Sequence, residues 1–327
     1  MARRRRQAGG LNDRGSQQSV YYPYSESFWS GFRKREFAPP MMYEHMFIQD
    51  VQNSIFPWRR SGENWISHNT TNDYSEMIAG ALDDHYSEPK EAVSRFARED
   101  LIYSLLTYRK AYYEIVYYED GSFRFVHVLN HTMIRLPGIF LQYVPKRLRE
   151  YKQDGNNRFP MFIRIKPSNM FCISAPKHLK RTLKKLMKGL VYLSDNDSMP
   201  KFASKQMLSD GGMYPLDYSE YRRTTARYLA TLTKELGWSG RQSFKDEELE
   251  YYSWLRFLRF EQFKHDLREA VICGINKGLR TVKKNWEPIP QLTQNVFPQH
   301  GDIISSMESL RTGSLKFSDI FKPYLRY

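Results

Sequence analysis

The chain has 327 residues, 41% of them hydrophobic, and a formal net charge of +14. The apolar share is typical of globular proteins and excludes a wholly disordered chain, while the excess of Lys and Arg indicates a polyanionic partner. Two cysteines, Cys172 and Cys273, exclude a disulfide framework and favour a reducing compartment, and no apolar run approaches the ~18 residues of a membrane span.

The N-terminal third of the chain begins with irregular sequence. Residues 1–20 are basic and aperiodic, which predicts a mobile arm, and the start MARRRRQAGG lacks the apolar stretch of a secretory signal. The segment YYPYSESFWSGFRKREFAPPMMYEHMF has too many Pro and Gly for one helix, and too many aromatic residues for a free linker. We expect it to bury aromatic side chains against a neighbouring subunit. The candidate contact residues are Tyr21, Tyr22, Tyr24, Phe28, Trp29 and Phe32.

A helix followed by strands is predicted next. SEPKEAVSRFAREDLIYSLLTYRK has Ser87 as a candidate N-cap, Pro89 in its first turn and apolar residues at helical spacing. Two runs rich in Tyr, Val and Ile then flank Asp120-Gly121, which is a strong hairpin signal. The further runs IFLQYV and MFIRIKPSNMFCI complete a small, mostly antiparallel sheet over about residues 111–173.

The segment PKHLKRTLKKLMKGL predicts a helix with one basic and one apolar face. Its basic residues are Lys177, Lys180, Arg181, Lys184, Lys185 and Lys188. A loop interrupted by Pro and Gly follows over residues 194–216.

Three more helical segments are predicted after that loop. One begins near residue 217, and a long one runs from about Asp246 to Leu279, with acidic residues at its positive end. The C-terminal part predicts one or two short helices with a break at Gly313.

A search for catalytic motifs finds no phosphate-binding Gly-Lys-Ser/Thr loop, no G-x-S-x-G elbow and no H-E-x-x-H helix. His127 and His131 are four apart on a predicted strand, which places them on one face. Two histidines supply at most half of a metal site, so surface or packing roles are favoured. Asp84, Glu88 and Lys90 have the residue types of a metal-dependent nuclease, yet a proline at a helix start separates the last two. We predict no enzymatic activity, no cofactor and no metal.

The order of these elements resembles the portal proteins of tailed bacteriophages. SRFAREDLIYSLLTYRKAYYEIVYYEDGSFRFVHVLNHTMIRL looks like the wing, and MFCISAPKHLKRTLKKLM looks like the strand that enters the stem. LSDGGMYPLDYSEYRRTTARYL is similar to the end of the tunnel loop with its following helix, and FKDEELEYYSWLRFLRFEQFKHDLREAVICGIN to the long wing helix. The resemblance covers about residues 75–280. The chain is short for a portal, so either the clip region is abbreviated or the register of the match is shifted.

The resemblance implies an α+β, mainly helical portal-like fold with a small antiparallel sheet as the wing, a helical stem and a long wing helix. It divides the chain into a basic arm (1–20), a subunit-contacting segment (21–75), a wing helix and sheet (76–173), a stem or clip-like helix with a tunnel-like loop (174–216), long wing helices (217–285) and a small crown-like segment (286–327).

The same resemblance implies a ring, usually of twelve subunits, at the capsid vertex of the virion. Double-stranded DNA would pass through the ring during packaging and ejection. The implied partners are a terminase motor, the major capsid protein and a head–tail adaptor, with assembly in the host cytoplasm and no membrane contact.

A loop that faces a moving duplex needs backbone freedom, which a Gly pair supplies. The candidate channel residues are Lys201, Lys205, Gly211, Gly212 and Tyr214, and the basic helix is a candidate stem lining. Three alternatives stay open: a nucleic-acid-binding protein that forms no ring, a structural connector without a DNA channel and, less favoured, a metal-dependent nuclease.

Overall fold

The computed structural model describes Ser19 and residues 42–56, 66–68, 72–83, 88–119, 121–144, 160–196, 218–241, 250–282, 291–294 and 300–314. Its helices are α1 Met42–Ser54, α2 Asn72–Leu82, α3 Pro89–Phe96, α4 Ile102–Tyr108, α5 Leu179–Asn196, α6 Tyr218–Thr233, α7 Glu250–Val282 and α8 His300–Arg311. Its strands are β1 Ile66–His68, β2 Lys110–Tyr117, β3 Phe123–Val128, β4 Met133–Leu136, β5 Ile139–Tyr143, β6 Phe162–Ile165, β7 Met170–Ser174 and β8 Leu292–Gln294.

Helices and small antiparallel sheets occur together, so the predicted α+β class is confirmed. The chain divides into two compact units. The first unit comprises residues 1–38, 66–174 and 271–293, and the second comprises residues 39–65, 175–270 and 294–327. Within the described ranges, no helix combines the length and apolarity needed to cross a membrane.

In the first unit, the predicted helix begins at Pro89, but its N-cap position is held by Glu88, which makes no side-chain cap hydrogen bond. The expected cap, Ser87, lies outside the described residues. The helix passes through a π-helical turn at Ala97–Leu101 before α4.

The predicted hairpin is confirmed, because β2 and β3 pair antiparallel with Tyr113 opposite His127. Gly121 lies in the turn with φ +82°, a conformation that favours glycine. Strand β2 also pairs antiparallel with β7, so it is the central strand of the sheet β3-β2-β7.

The prediction of a single sheet over residues 111–173 is wrong, because a second sheet has the order β4-β5-β6. The predicted strand MFIRIKPSNMFCI is two strands. A 3-10 turn at Pro167–Asn169 separates β6 from β7 and places them in different sheets. Proline fixes its backbone φ and has no N–H to donate, which explains the interruption.

The two sheets share an apolar core of Tyr112, Val128, Ile165 and Met170. Side chains alternate between the faces of a strand, so the core-facing residues of the second sheet are those such as Met133, Phe140 and Ile163. The opposite face is largely apolar, with Ile134 paired to Leu141 and Leu136 paired to Ile139, and it also carries the exposed Arg164 opposite Leu141.

The last part of α7, from Val271 onward, packs on β7 in the first unit. A Cβ added at Gly274 would lie 2.6 Å from Ile173, and one added at Gly278 would lie 2.8 Å from Phe171. These glycines therefore allow a close approach of helix and strand. The short strands β1 and β8 form a separate two-stranded pair.

Ser19 lies inside the segment predicted to be a mobile arm, yet it is buried. Its backbone N–H donates to the Glu114 carboxylate on β2 at 2.8 Å. At this residue the structure differs from the expected free arm, because the buried carboxylate requires a donor. The other residues of the arm lie outside the described ranges.

In the second unit, the described helices are α1, α5, α6, α8 and residues 250–270 of α7. The ring of Phe47 on α1 lies 5.1 Å from that of Trp238, edge to face. The indole N–H of Trp238 donates to Asp50 at 2.9 Å. The helices predicted near 217 and over 246–279 are present, although the acidic start expected for the latter lies outside the described residues.

Candidate nucleic-acid interface

The clearest candidate site is a row of basic side chains on α5, which we call the basic row. It consists of Lys177, Lys180, Arg181, Lys184, Lys185 and Lys188, with Lys177 in the turn just before the helix. Lys180 is half-buried and the other five are exposed. Spacings of three and four residues place them on one side of the helix.

The opposite side of α5 is apolar, as the sequence predicted. Its buried side chains are Leu179, Leu183, Leu186, Met187 and Leu190. Burying this face fixes the helix against its neighbours, so the basic row is held toward solvent by packing rather than by its own contacts.

The charges of the basic row have no partner among the described residues: none of the six side chains makes an ion pair or side-chain hydrogen bond there. By contrast, the exposed Arg241 is 2.7 Å from the Asp50 carboxylate. Uncompensated charges on a rigid helix are what a sequence-independent phosphate contact requires.

Helix α6 packs antiparallel to α5. The close approach is at Gly189, where an added Cβ would lie 2.4 Å from a methyl carbon of Leu232. Further along, the Thr182 hydroxyl donates to the Glu235 carboxylate at 3.1 Å. The pair therefore presents a two-helix surface beside the basic row.

Two exposed tyrosines extend this surface. Tyr192 is four residues after Lys188 and is 59% exposed, and Tyr228 on α6 is 41% exposed. Their ring centroids are 6.1 Å apart. Sequence reasoning missed this pair, because the two residues are 36 positions apart and only the antiparallel packing brings them together. Aromatic rings beside cationic side chains are typical of surfaces on which bases stack.

The base of the helix pair is held by a buried arginine. Arg256 on α7 is 6% exposed and donates to the Thr233 hydroxyl at 2.8 Å and to the Ala230 carbonyl at 3.0 Å. Both acceptors belong to the last turn of α6, where carbonyl groups lack helical partners and a cation is favoured. Arg256 thus caps the C-terminus of α6 and links that helix to α7.

The other predicted site residues are not placed. The five channel candidates of the tunnel-like loop lie outside the described residues, and so do the six aromatic contact candidates of the N-terminal segment.

His127 and His131 do not share a strand face, contrary to the sequence prediction. His127 lies on β3, whereas His131 lies in the 3-10 turn Asn130–Thr132. The His127 imidazole is within 3.0 Å of the Ser104 hydroxyl, and burial lowers its pKa while nearby Asp100 raises it. Its position is that of a packed core histidine.

Two residues of the suggested nuclease motif, Glu88 and Lys90, lie at the N-terminus of α3. Glu88 holds the N-cap position of α3, and its carboxylate is 2.9 Å from the Lys90 ammonium. Asp84 lies outside the described residues. An acidic and a basic residue paired on a first helical turn do not form the strand-borne arrangement that metal-assisted cleavage uses.

Among the described residues, one group has donor atoms close enough to hold a metal. His265, Asp266 and Glu269 on α7 offer one ligand atom each, all within 4.8 Å of one another. They were not singled out in the sequence because adjacent His and Asp in a helix carry no recognisable motif.

No protein-family model matches the chain, and no curated protein matches it in sequence.

Proposed function

We propose that the chain is a portal-type ring subunit that conducts double-stranded DNA through a capsid vertex. The observation that carries the proposal is the basic row, a line of cations without ion-pair partners in the described part of the chain, on a helix that follows the wing-like sheets. Over Lys177 to Lys188 the row is about 16 Å long, at 1.5 Å of rise per residue. It suits phosphate contacts made without regard to base sequence.

The apolar outer face of the second sheet supports the ring. Leu136 is 46% exposed and lies on the face that Ile134 and Leu141 share. An apolar sheet face has a favourable free energy of burial, about 25 cal/mol per Å². We assign this face to contact with a second copy of the chain, as a closed ring of identical subunits requires.

Within this function, the family resemblance assigns the DNA axis to the tunnel-like loop with Gly211 and Gly212, which lies outside the described residues, and a terminase motor supplies the energy. The chain itself has a structural role and performs no catalysis. The major capsid protein and a head–tail adaptor are its remaining partners, at the portal vertex of the virion.

Electron microscopy of the purified, untagged chain tests the proposal. We expect rings with a central hole wide enough for a duplex. A population of monomers or irregular oligomers, at concentrations where the protein is folded, would contradict it.

A second candidate is a nucleic-acid-binding protein that forms no ring, and the Tyr192–Tyr228 pair favours it. Stacking on aromatic rings requires unstacked bases, so this candidate binds single strands more tightly than duplexes. The portal proposal expects the reverse preference or none. Fluorescence anisotropy with strands and duplexes of equal length distinguishes the two, with Tyr192→Leu and Tyr228→Leu as the variants that should weaken only single-strand binding.

A further inference from the structure

The second unit contains a set of mixed nitrogen and oxygen donors that no part of the proposed function uses. On α7, His265 and Asp266 are buried, with 6% and 8% of their surface exposed to solvent, and Glu269 is exposed. His265 and Glu269 are four residues apart and so lie on one face of the helix. The donor atoms of the three residues lie within 4.8 Å of one another.

A histidine from a different element holds the Asp266 carboxylate. His178 lies in the turn that precedes α5, and its Nε2 is 2.8 Å from Oδ2 of Asp266, although the residues are 88 positions apart. The other oxygen of Asp266 is 3.8 Å from Nδ1 of His265. The Asp266 carboxylate therefore has an imidazole beside each of its oxygens.

One of these distances is close to that of a zinc site. Zinc is bound by His nitrogen and carboxylate oxygen at about 2.0–2.2 Å, so neighbouring ligand atoms of a tetrahedral site are about 3.3 Å apart. The 3.8 Å separation of His265 Nδ1 from Oδ1 of Asp266 is near that value. The 2.8 Å contact of His178 with Oδ2 is a hydrogen bond that orients the carboxylate, and the exposed Glu269 side chain can rotate toward the ion.

The Asp266 carboxylate is also reachable from solvent. It lines a cleft of about 220 Å³ together with His178, Thr182, Glu235, Arg259 and several apolar residues. The cleft gives an ion an entry path, which is one requirement of a real metal site.

We propose that His265, Asp266 and Glu269 bind a divalent transition metal such as Zn²⁺, which accepts imidazole nitrogen and carboxylate oxygen together. His178 is the outer partner that orients the Asp266 carboxylate, and through this hydrogen bond the ion also fixes the start of α5, the helix that carries the basic row. The inference rests on contacts within the second unit and does not depend on the proposed function.

The test uses the untagged full chain after treatment with a chelator and dialysis. Titration with ZnCl₂ alone against a chromophoric chelator should reveal one high-affinity ion per chain, and Zn²⁺ should raise the melting temperature because it binds the folded state. Co²⁺ in its place should give the visible absorption of a four-coordinate site.

Two variants at exposed positions separate a metal site from a fold defect. His178→Gln and Glu269→Gln should each weaken Zn²⁺ binding by more than about tenfold, the smallest loss that removal even of an outer partner produces. His45→Gln changes an exposed histidine on α1 and should leave the affinity unchanged. Absence of stoichiometric Zn²⁺ binding by the folded wild type, or wild-type affinity in both site variants, would overturn the proposal.

Discussion

The buried guanidinium of Arg256 donates to the Thr233 hydroxyl at 2.8 Å, and that hydroxyl donates in turn to the Leu229 carbonyl at 2.8 Å. The two bonds form a continuous chain from α7 into the last turn of α6. A side chain thus supplies the donors that the end of the helix lacks.

Arg256→Met should therefore destabilise the protein by about 3 kcal/mol, because it leaves buried carbonyl and hydroxyl groups without a donor. Urea denaturation followed by circular dichroism measures the change. Arg259→Met is the matched control, since the half-buried Arg259 donates to the Lys234 carbonyl at 3.1 Å in a solvent-exposed hydrogen bond. The free energy of unfolding of Arg259→Met should be lower than that of the wild type by less than about 1 kcal/mol. Equal losses in the two variants would contradict the role given to Arg256.

Gly237 should tolerate no side chain. Its φ is +80°, and an added Cβ would lie 2.0 Å from the Arg256 carbonyl oxygen and 2.7 Å from the Phe260 nitrogen. Backbone atoms cannot move aside as a flexible side chain can, so Gly237→Ala should cost about 3 kcal/mol or more. Gly121 is the control: it has φ +82° but no atom near its Cβ position. Gly121→Ala should cost only about 1 kcal/mol, from backbone conformation alone.

The buried His127 should make stability depend on pH. Burial lowers its pKa in the folded state below the ordinary value of about 6.5, despite the opposing effect of Asp100. Below that value the unfolded chain binds a proton that the folded chain excludes, so this contribution to stability, present above pH ~6.5, is lost as pH falls through it.

The measurement is the free energy of unfolding from urea titrations above and below that pH. The free energy of unfolding should fall less steeply with decreasing pH in His127→Gln than in the wild type, by at most about 1.4 kcal/mol per pH unit. His45→Gln, at an exposed histidine, should leave the pH dependence as it is. An unchanged slope in His127→Gln would show that protonation of this imidazole is not excluded by folding.

The basic row should determine the salt dependence of DNA binding. Each phosphate contact contributes about −0.9 to the slope of log K against log salt. Lys184→Gln and Lys188→Gln should each reduce the magnitude of the slope by up to about 1. Lys277→Gln removes the same charge from an exposed position on α7 in the first unit and should leave the slope unchanged. Fluorescence anisotropy with duplexes of unrelated sequence gives the slopes. An equal decrease of the slope in all three variants would show that the basic row is not the contact surface.

The outer face of the second sheet should control assembly. Leu136→Glu places a charge on the apolar face at a position that is already 46% exposed, so the monomer should fold while rings fail to form. Ile304→Glu is the control, at a residue of α8 that is 48% exposed. Sedimentation and electron microscopy report the outcome. Intact rings of Leu136→Glu would assign the subunit contact to another surface.

The sequence by itself determined the local structure and the chemistry of each face. The helical spacing of the leucines predicted which side of α5 is buried and that the lysines are exposed. This works because the period of the apolar residues indicates which side of an element faces the core. The Asp-Gly turn predicted the β2–β3 hairpin, because that turn depends on adjacent residues alone.

Tertiary structure decided what lies together across long separations. Nothing in the local pattern distinguished one sheet from two, because strand partners such as β2 and β7 are chosen by packing across the chain. The Tyr192–Tyr228 contact, the Arg256 bonds to α6 and the meeting of His178 with Asp266 likewise join residues from separate elements. A sequence shows the residue types for such contacts, but distance is fixed only when the apolar faces of the helices are buried against each other.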